Sequence, residues 1–300
     1  MNNTMWKFDI EKTKHRIALL NEYYKERGLN ACDFRCDRYF ECEKSQNKNN
    51  KKQFSGGTAA VMPFYDIMYN NTPMRILVIG KETGYMKKCK YGIYKDFEMN
   101  NLIVLNNINW KKKNNHIKGT LHLLQYIYNI RTKYVYSSYA LSNLLRCSFQ
   151  TVDNFKNLSG TKDTQIMRNN CVEHLVKEIE ILDPTVVITQ GAWAIKNNFF
   201  INNLRKKFGE YTLLRPNESN GKYGLYSFEK FYCITTHHPA RLGVWEAIYA
   251  YDSVWPMIDF LRLSGGLPVI ESSSISEYKN IVKPFVAPII SNLKSNNYLR

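Results

Sequence analysis

Three polar side chains in this 300-residue chain stand at the ends of short apolar runs, and their types complement one another. Glu82 follows MRILVIG (74–80), Asn143 lies in YALSNLL (139–145), and His238 follows FYCITT (231–236). A carboxylate can orient an attacking water and offset developing positive charge. An imidazole aimed at a departing anion stabilises it by a hydrogen bond, an effect typically worth about 2.7–4 kcal/mol, or about 10²–10³ in rate. An amide offers two donors and an acceptor, so it can read the polar edge of a planar ligand. A second constellation is made of thiols. Cys32, Cys36 and Cys42 crowd into ACDFRCDRYFEC, Cys147 closes SNLLRC, and Cys171 opens a helical stretch. In a reducing compartment such clustering points to a metal and not to disulfides. Four thiolates suit a tetrahedral zinc on ligand type alone. Cys233, inside FYCITT, reads as a small buried hydrophobe, and Cys89 stands isolated.

These residues need elements to hold them. Each apolar run named above has the length and content of a strand buried on both faces, and TVVITQG (185–191) is a fourth. Helical spacing fills the intervals at 119–130, at 168–182 and at 191–207. The second of these, RNNCVEHLVKEIEIL, is stopped by Asp183-Pro184. Strand alternating with helix predicts an α/β fold, a four-stranded parallel sheet covered by helices on both faces. In such sheets ligands bind beyond the carboxyl ends of the strands. That rim would gather Gly80 and Glu82, Asn143, Gln190-Gly191, and His238. Singly, each has a plainer reading as a turn, a cap or a surface charge; their joint placement is the signal. Upstream, Trp6, Ile10, Ile17, Leu20 and Tyr24 share a helical face over 5–28, with Gly28 as its stop. KSQNKNNKKQ (44–53) reads as a solvated loop. Residues 1–264 are expected to form one domain, with 1–73 packed on its body, and 265–300 a peripheral C-terminal extension.

Lys and Arg number 42 against 26 Asp and Glu, a formal charge of +16. That excess favours a polyanion such as nucleic acid, although a lysine-rich composition alone can produce it. No apolar run reaches the ~18 residues of a membrane span, and Met1 to Glu11 lacks the hydrophobic segment of a signal peptide. The expectation is a soluble, cytoplasmic or nucleoid-associated protein with no membrane partner and no obligate protein partner.

The order and text of these segments resemble the uracil-DNA glycosylase superfamily, most closely its iron–sulfur branch, over roughly residues 30 to 260. That branch pairs a GEAPG-type strand end with a TNxxKC strand, then a Cys-led helix running into a strand that ends in Gly, then an HPS-type motif. This chain has GKETG at 80–84, SNLLRC at 142–147, CVEHLVKEIEILDPTVVITQG at 171–191 and HHPARL at 237–242. The resemblance implies a three-layer α/β/α fold and a DNA glycosylase that extrudes uracil or another modified pyrimidine and hydrolyses its glycosidic bond, leaving an abasic site. It implies that Glu82 positions the water and that His238 stabilises the leaving base. Gly80 and Asn143 would contact the extruded base, with Tyr85, Tyr91 or Trp110 as its stacking partner. Arg241 and Leu242 occupy the place of the loop that enters the duplex, and Lys87 and Lys88, with Lys111 to Lys113, are placed to meet phosphates. It also implies a [4Fe–4S] cluster, with Cys147 and Cys171 as one ligand pair and two of Cys32, Cys36 and Cys42 as the other; zinc is the alternative. Thr83 replaces the family's Pro, Lys81 its Glu and Ala240 its Ser, and the N-terminal thiols are spaced C-x3-C-x5-C instead of C-x2-C. The excised base and the ligand set therefore stay open. So do a catalytically inactive DNA-binding member, a glycosylase acting on modified phage bases, and a different α/β enzyme whose 80–84 loop holds a nucleotide phosphate. The last lacks the Gly-Lys-Ser/Thr ending such loops carry.

Overall fold

The computed structural model describes residues 5–29, 36–45, 50–53, 59–81, 115–146, 148–151, 164–191, 193–194, 198–216, 224–238 and 254–295. Its elements begin with β1 (Trp6–Phe8), α1 (Ile10–Glu26), α2 (Tyr39–Lys44), β2 (Asn50–Gln53), β3 (Ala60–Val61), β4 (Ile67–Tyr69), β5 (Thr72–Pro73) and β6 (Ile76–Gly80). They continue with α3 (Asn115–Tyr128), β7 (Tyr139–Asn143), β8 (Ser148–Thr151), α4 (Gln165–Leu182), β9 (Val186–Gln190) and α5 (Phe199–Phe208). The last are β10 (Thr212–Pro216), β11 (Gly224–Ser227), β12 (Tyr232–Thr236), α6 (Val254–Leu263) and α7 (Ile275–Ser295). Among the described residues, no helix is long and apolar enough to cross a membrane.

The fold is mixed α/β. The four runs read as strands are β6, β7, β9 and β12, and they pair in parallel in the order β12-β9-β6-β7. Their central residues are buried on both faces, which is why they read as unbroken apolar runs and not as alternating ones. Along β6, Ile76 and Val78 enter one core while Leu77 and Ile79 enter the other. Helices α3, α6 and α7 contribute to the first core; α1, α2, α4 and α5 to the second.

The sheet is larger than the sequence predicts. Antiparallel β11 and β10 extend it beyond β12, and β3 closes the other edge against β7, giving seven strands. These additions are short and partly exposed, so they carry no long apolar run. Part of the expected loop 44–53 is strand: β2 pairs with β8. Trp6 belongs to no helix. It sits in β1, which joins β4 and β5 in a small separate sheet, and α1 starts at Ile10 behind its cap, where Asp9 Oδ1 accepts from the Lys12 N–H at 2.9 Å. The positive φ of Gly28 (60°) fits its expected role as the stop. Helical structure expected at 191–207 is seen as α5, Phe199–Phe208.

The segment expected as a peripheral extension shares the core. In α7, Tyr278, Val282 and Val286 are buried at a spacing of four, while Pro284 and Pro288 lie on the exposed side. Tyr278 meets Trp6, Phe8 and Tyr128 edge-on or tilted. The Glu277 carboxylate accepts from the backbone N–H groups of Met5 and Trp6, and the Trp6 indole donates to the Ser274 carbonyl at 3.0 Å. Residues 5–6 and 274–278 are thus stitched together at the first core. Tyr278→Ala is expected to cost about 3–5 kcal/mol of folding stability, as for other large buried aromatics. Urea unfolding would measure it, and a loss below about 1 kcal/mol would mean that α7 is an appendage after all.

Candidate functional site

The four parallel strands end in register. Gly80 stands opposite Asn143, and Gln190 opposite Thr236. This places Gly80, Asn143, Gln190 and Thr236 in one row on the carboxyl rim of the sheet. At one end of the row the approach is very close. A Cβ on Gly80 would lie 2.7 Å from Asn143 Oδ1, so the half-buried amide packs directly over the glycine backbone. At the other end the backbone turns sharply at Gly191, whose φ is +121° and whose N–H donates to the Thr236 carbonyl at 2.8 Å. A Cβ there would come within 3.8 Å of the His238 Cβ, so exposed His238 leans back over the end of β9. Strands β7 and β12 are three strand spacings apart, about 14 Å. Asn143, leaning over Gly80 of β6, and His238, leaning over the end of β9, thus stand on the same carboxyl rim and approach it from opposite edges of the parallel strands.

Two further residues shape the rim: Gln190, expected there as a strand end, and Trp193, which the sequence did not single out. Gln190 is fully buried and donates through Nε2 to Thr120 Oγ1 of α3 at 3.0 Å, which ties the rim to the first core. The Trp193 indole donates to the Gln190 carbonyl at 3.1 Å and lines a groove of about 530 Å³ with Arg168, Asn169, Phe199 and Lys206. Glu82, Tyr85, Lys87, Lys88, Arg241 and Leu242 lie outside the described residues, as do Tyr91, Trp110 and Lys111 to Lys113.

Behind Asn143 is a buried ion pair. Arg146 and Glu178 are 1% and 0% exposed, and their charged groups meet at 2.7 Å. Glu178 also accepts short hydrogen bonds from the hydroxyls of Tyr24 and Ser142. Burial opposes the charge on Arg146, and the Glu178 carboxylate restores it. Burial and the same carboxylate push the Tyr24 hydroxyl far above its ordinary range.

The thiols form the second site. Cys36, just before α2, Cys42 in α2 and Cys171 in α4 are buried in one core. Burial pushes the Cys36 thiol up to about 11, and the neighbouring Cys171 and Cys42 add repulsion between like charges. Cys42 is raised chiefly by burial, with Cys171 again contributing and a hydrogen bond from Asn170 Nδ2 at 3.5 Å opposing it. His174 lies one turn along α4 from Cys171 and was not foreseen. One donor atom each from Cys36, Asp37 and His174 lies within 4.8 Å of the other two, so this group could hold a metal ion. Burial, and then Arg146, lower the His174 pKa to about 4, leaving the imidazole neutral as metal ligation requires. The signal for it was the C-x-x-H spacing in 171–174, which places both side chains on one helix face. Cys32 and Cys147 lie outside the described residues, and Cys233 is the buried hydrophobe expected of it.

No protein-family model matches the chain, and no curated protein matches it either.

The buried pair sets a stability test. Glu178→Gln leaves Arg146 charged and unmatched in the core and is expected to cost about 3–5 kcal/mol by urea unfolding. Replacing both partners by methionine is expected to cost less than that single change, because no unmatched charge remains. An exposed or water-filled site would instead tolerate Glu178→Gln with little loss.

Proposed function

We propose that the protein is a DNA glycosylase of the uracil-DNA glycosylase type, removing uracil or another modified pyrimidine from DNA. The observation that carries the reading is the rim: an amide held over a glycine backbone at Gly80–Asn143 and an imidazole at His238, both at the carboxyl ends of the parallel strands. Asn143 would read the polar edge of an extruded base by its donors and acceptor. The Gly80 backbone, with no Cβ in the way, would let the Asn143 amide take up its reading position. His238 would donate to the base as negative charge grows on it, and Glu82, by resemblance, would orient the water on the sugar side. The Arg168 and Lys206 side of the neighbouring groove, together with the net charge of +16, suits a phosphate backbone.

The thiol site fits the metal that the resemblance implies. Cys36, Cys42 and Cys171 are three buried soft donors within electrostatic reach of one another, and bare thiolates there would repel. A cluster spreads its ligands over several irons, so they stand further apart than the donors of one ion. We read the group as holding a [4Fe–4S] cluster, for which the resemblance implies a fourth thiolate, Cys32 or Cys147. Its chemistry would be structural: it would tie the segment around α2 to α4, remote from the rim residues. Purified protein is expected to be brown, with iron and acid-labile sulfide. Colourless protein with one zinc and no iron would replace the cluster by the zinc alternative.

Activity is tested by base release. Oligonucleotides carrying uracil, hypoxanthine, xanthine, hydroxymethylcytosine or glucosylated hydroxymethylcytosine would be incubated with the protein, then cut with alkali at abasic sites. Cleavage of a pyrimidine substrate is expected. His238→Ala should slow it about 10²–10³-fold, and Gly80→Ala should impair it by displacing the Asn143 amide while the fold survives. No cleavage of any substrate, with DNA binding intact, would overturn the enzyme reading in favour of a non-catalytic DNA-binding protein.

A further inference from the structure

Among the described residues, four that carry soft or imidazole donors lie buried around α2 and α4. Cys36, Cys42, Cys171 and His174 are each more than nine-tenths buried. Cys171 and His174 project from the same face of α4 at a spacing of three. A His174 ring nitrogen and Cys36 Sγ belong to the group whose donor atoms lie within 4.8 Å of one another. Asp37, the third member of that group, is half-exposed and faces Arg27 at 3.4 Å, so it has a partner of its own and the hard oxygen least suited to a thiolate-rich centre.

We infer that His174 is the fourth ligand of the centre, giving a Cys36, Cys42, Cys171, His174 set in place of four cysteines. This rests on the cluster reading given above. The imidazole is braced as metal-bound imidazoles are: the Tyr23 hydroxyl meets Nδ1 at 2.7 Å, which fixes the ring and leaves Nε2 to coordinate. Asn170 Nδ2 donates to Cys42 Sγ at 3.5 Å, the kind of contact that tunes a cluster. If an imidazole on α4 supplies the fourth bond, neither Cys32 nor Cys147 is needed for it. An imidazole ligand carries one negative charge fewer than a thiolate, and histidine in place of cysteine raises the reduction potential of iron–sulfur centres.

The test uses the full-length protein. Iron and sulfide would be measured in the wild type, in the double variant Cys32→Ser/Cys147→Ser, and in His174→Ala and His174→Cys. The double variant is expected to keep its full iron content. His174→Ala is expected to lose most of it and to regain it when reconstituted with free imidazole, because His174 lines a groove of about 700 Å³ through which a small ring can enter. His174→Cys is expected to keep iron at a lower midpoint potential, which guards against a variant that merely fails to fold. In wild type grown on ¹⁵N-histidine, pulsed EPR of the reduced cluster should show ¹⁵N coupling. Iron lost from the double variant but kept in His174→Ala, or an iron centre without ¹⁵N coupling, overturns the inference and leaves the cluster standing. Wild-type protein without iron overturns the cluster reading itself.

Discussion

The buried pair between Arg146 and Glu178 is the constraint on which both candidate sites depend. Two charges at 2.7 Å in the core hold each other firmly in place, because each would be costly to bury without the other. Arg146 stands just past the end of β7, three residues beyond Asn143. Glu178 stands in the middle of α4, two turns beyond Cys171 on the same helix face. The pair therefore fixes the height and rotation of α4 against the sheet. Tyr24 brings α1 into the same knot, and Ser142 brings in the strand that carries Asn143. One electrostatic contact thus sets the position of the rim amide on one side and of the thiol helix on the other.

From that knot the rim follows in register. Parallel pairing of β6 with β7 places Gly80 beside Asn143, and pairing of β9 with β12 places Gln190 beside Thr236. The glycine matters here because an amide occupies the space of its absent side chain. Gln190 is held from the other face by Thr120. The strand ends are thus clamped by α4 on one side of the sheet and α3 on the other, and a rim fixed from both faces can present donors without reorganising.

What the sequence revealed and what it hid follow from the physics of each element. The strands β6, β7, β9 and β12 were legible because burial on both faces demands an unbroken apolar run. The amphipathic α4 was legible from its periodicity, and its end from Asp183, which adopts a left-handed conformation with φ of 47°. The antiparallel additions were hidden, since β3 has only two residues and β10 and β11 mix polar with apolar residues, so none shows an unbroken apolar run. Helix α7 was hidden by its two prolines and the serines before it. Those features lower helix propensity, yet packing of Tyr278, Val282 and Val286 overrides them. Of the rim, Gly80, Asn143 and His238 could be named from strand ends alone. Arg146 and Glu178 could not, because a charge buried against its partner looks in sequence like any surface charge.

The same reasoning explains why the imidazole on α4 escaped notice while the thiols did not. A histidine in an amphipathic helix carries no compositional signal, whereas three cysteines within eleven residues do. Its significance comes from charge balance in three dimensions. Thiolates gathered in a core need positive charge nearby, and the buried cation close to Cys171 is Arg146, whose charge Glu178 already matches. Each further thiolate would add negative charge to a site where Cys36, Cys42 and Cys171 already repel one another. A neutral imidazole supplies a metal bond without that cost. The arginine that follows the rim strand thus also lies in the electrostatic field of Cys171, so one side chain couples the two candidate sites.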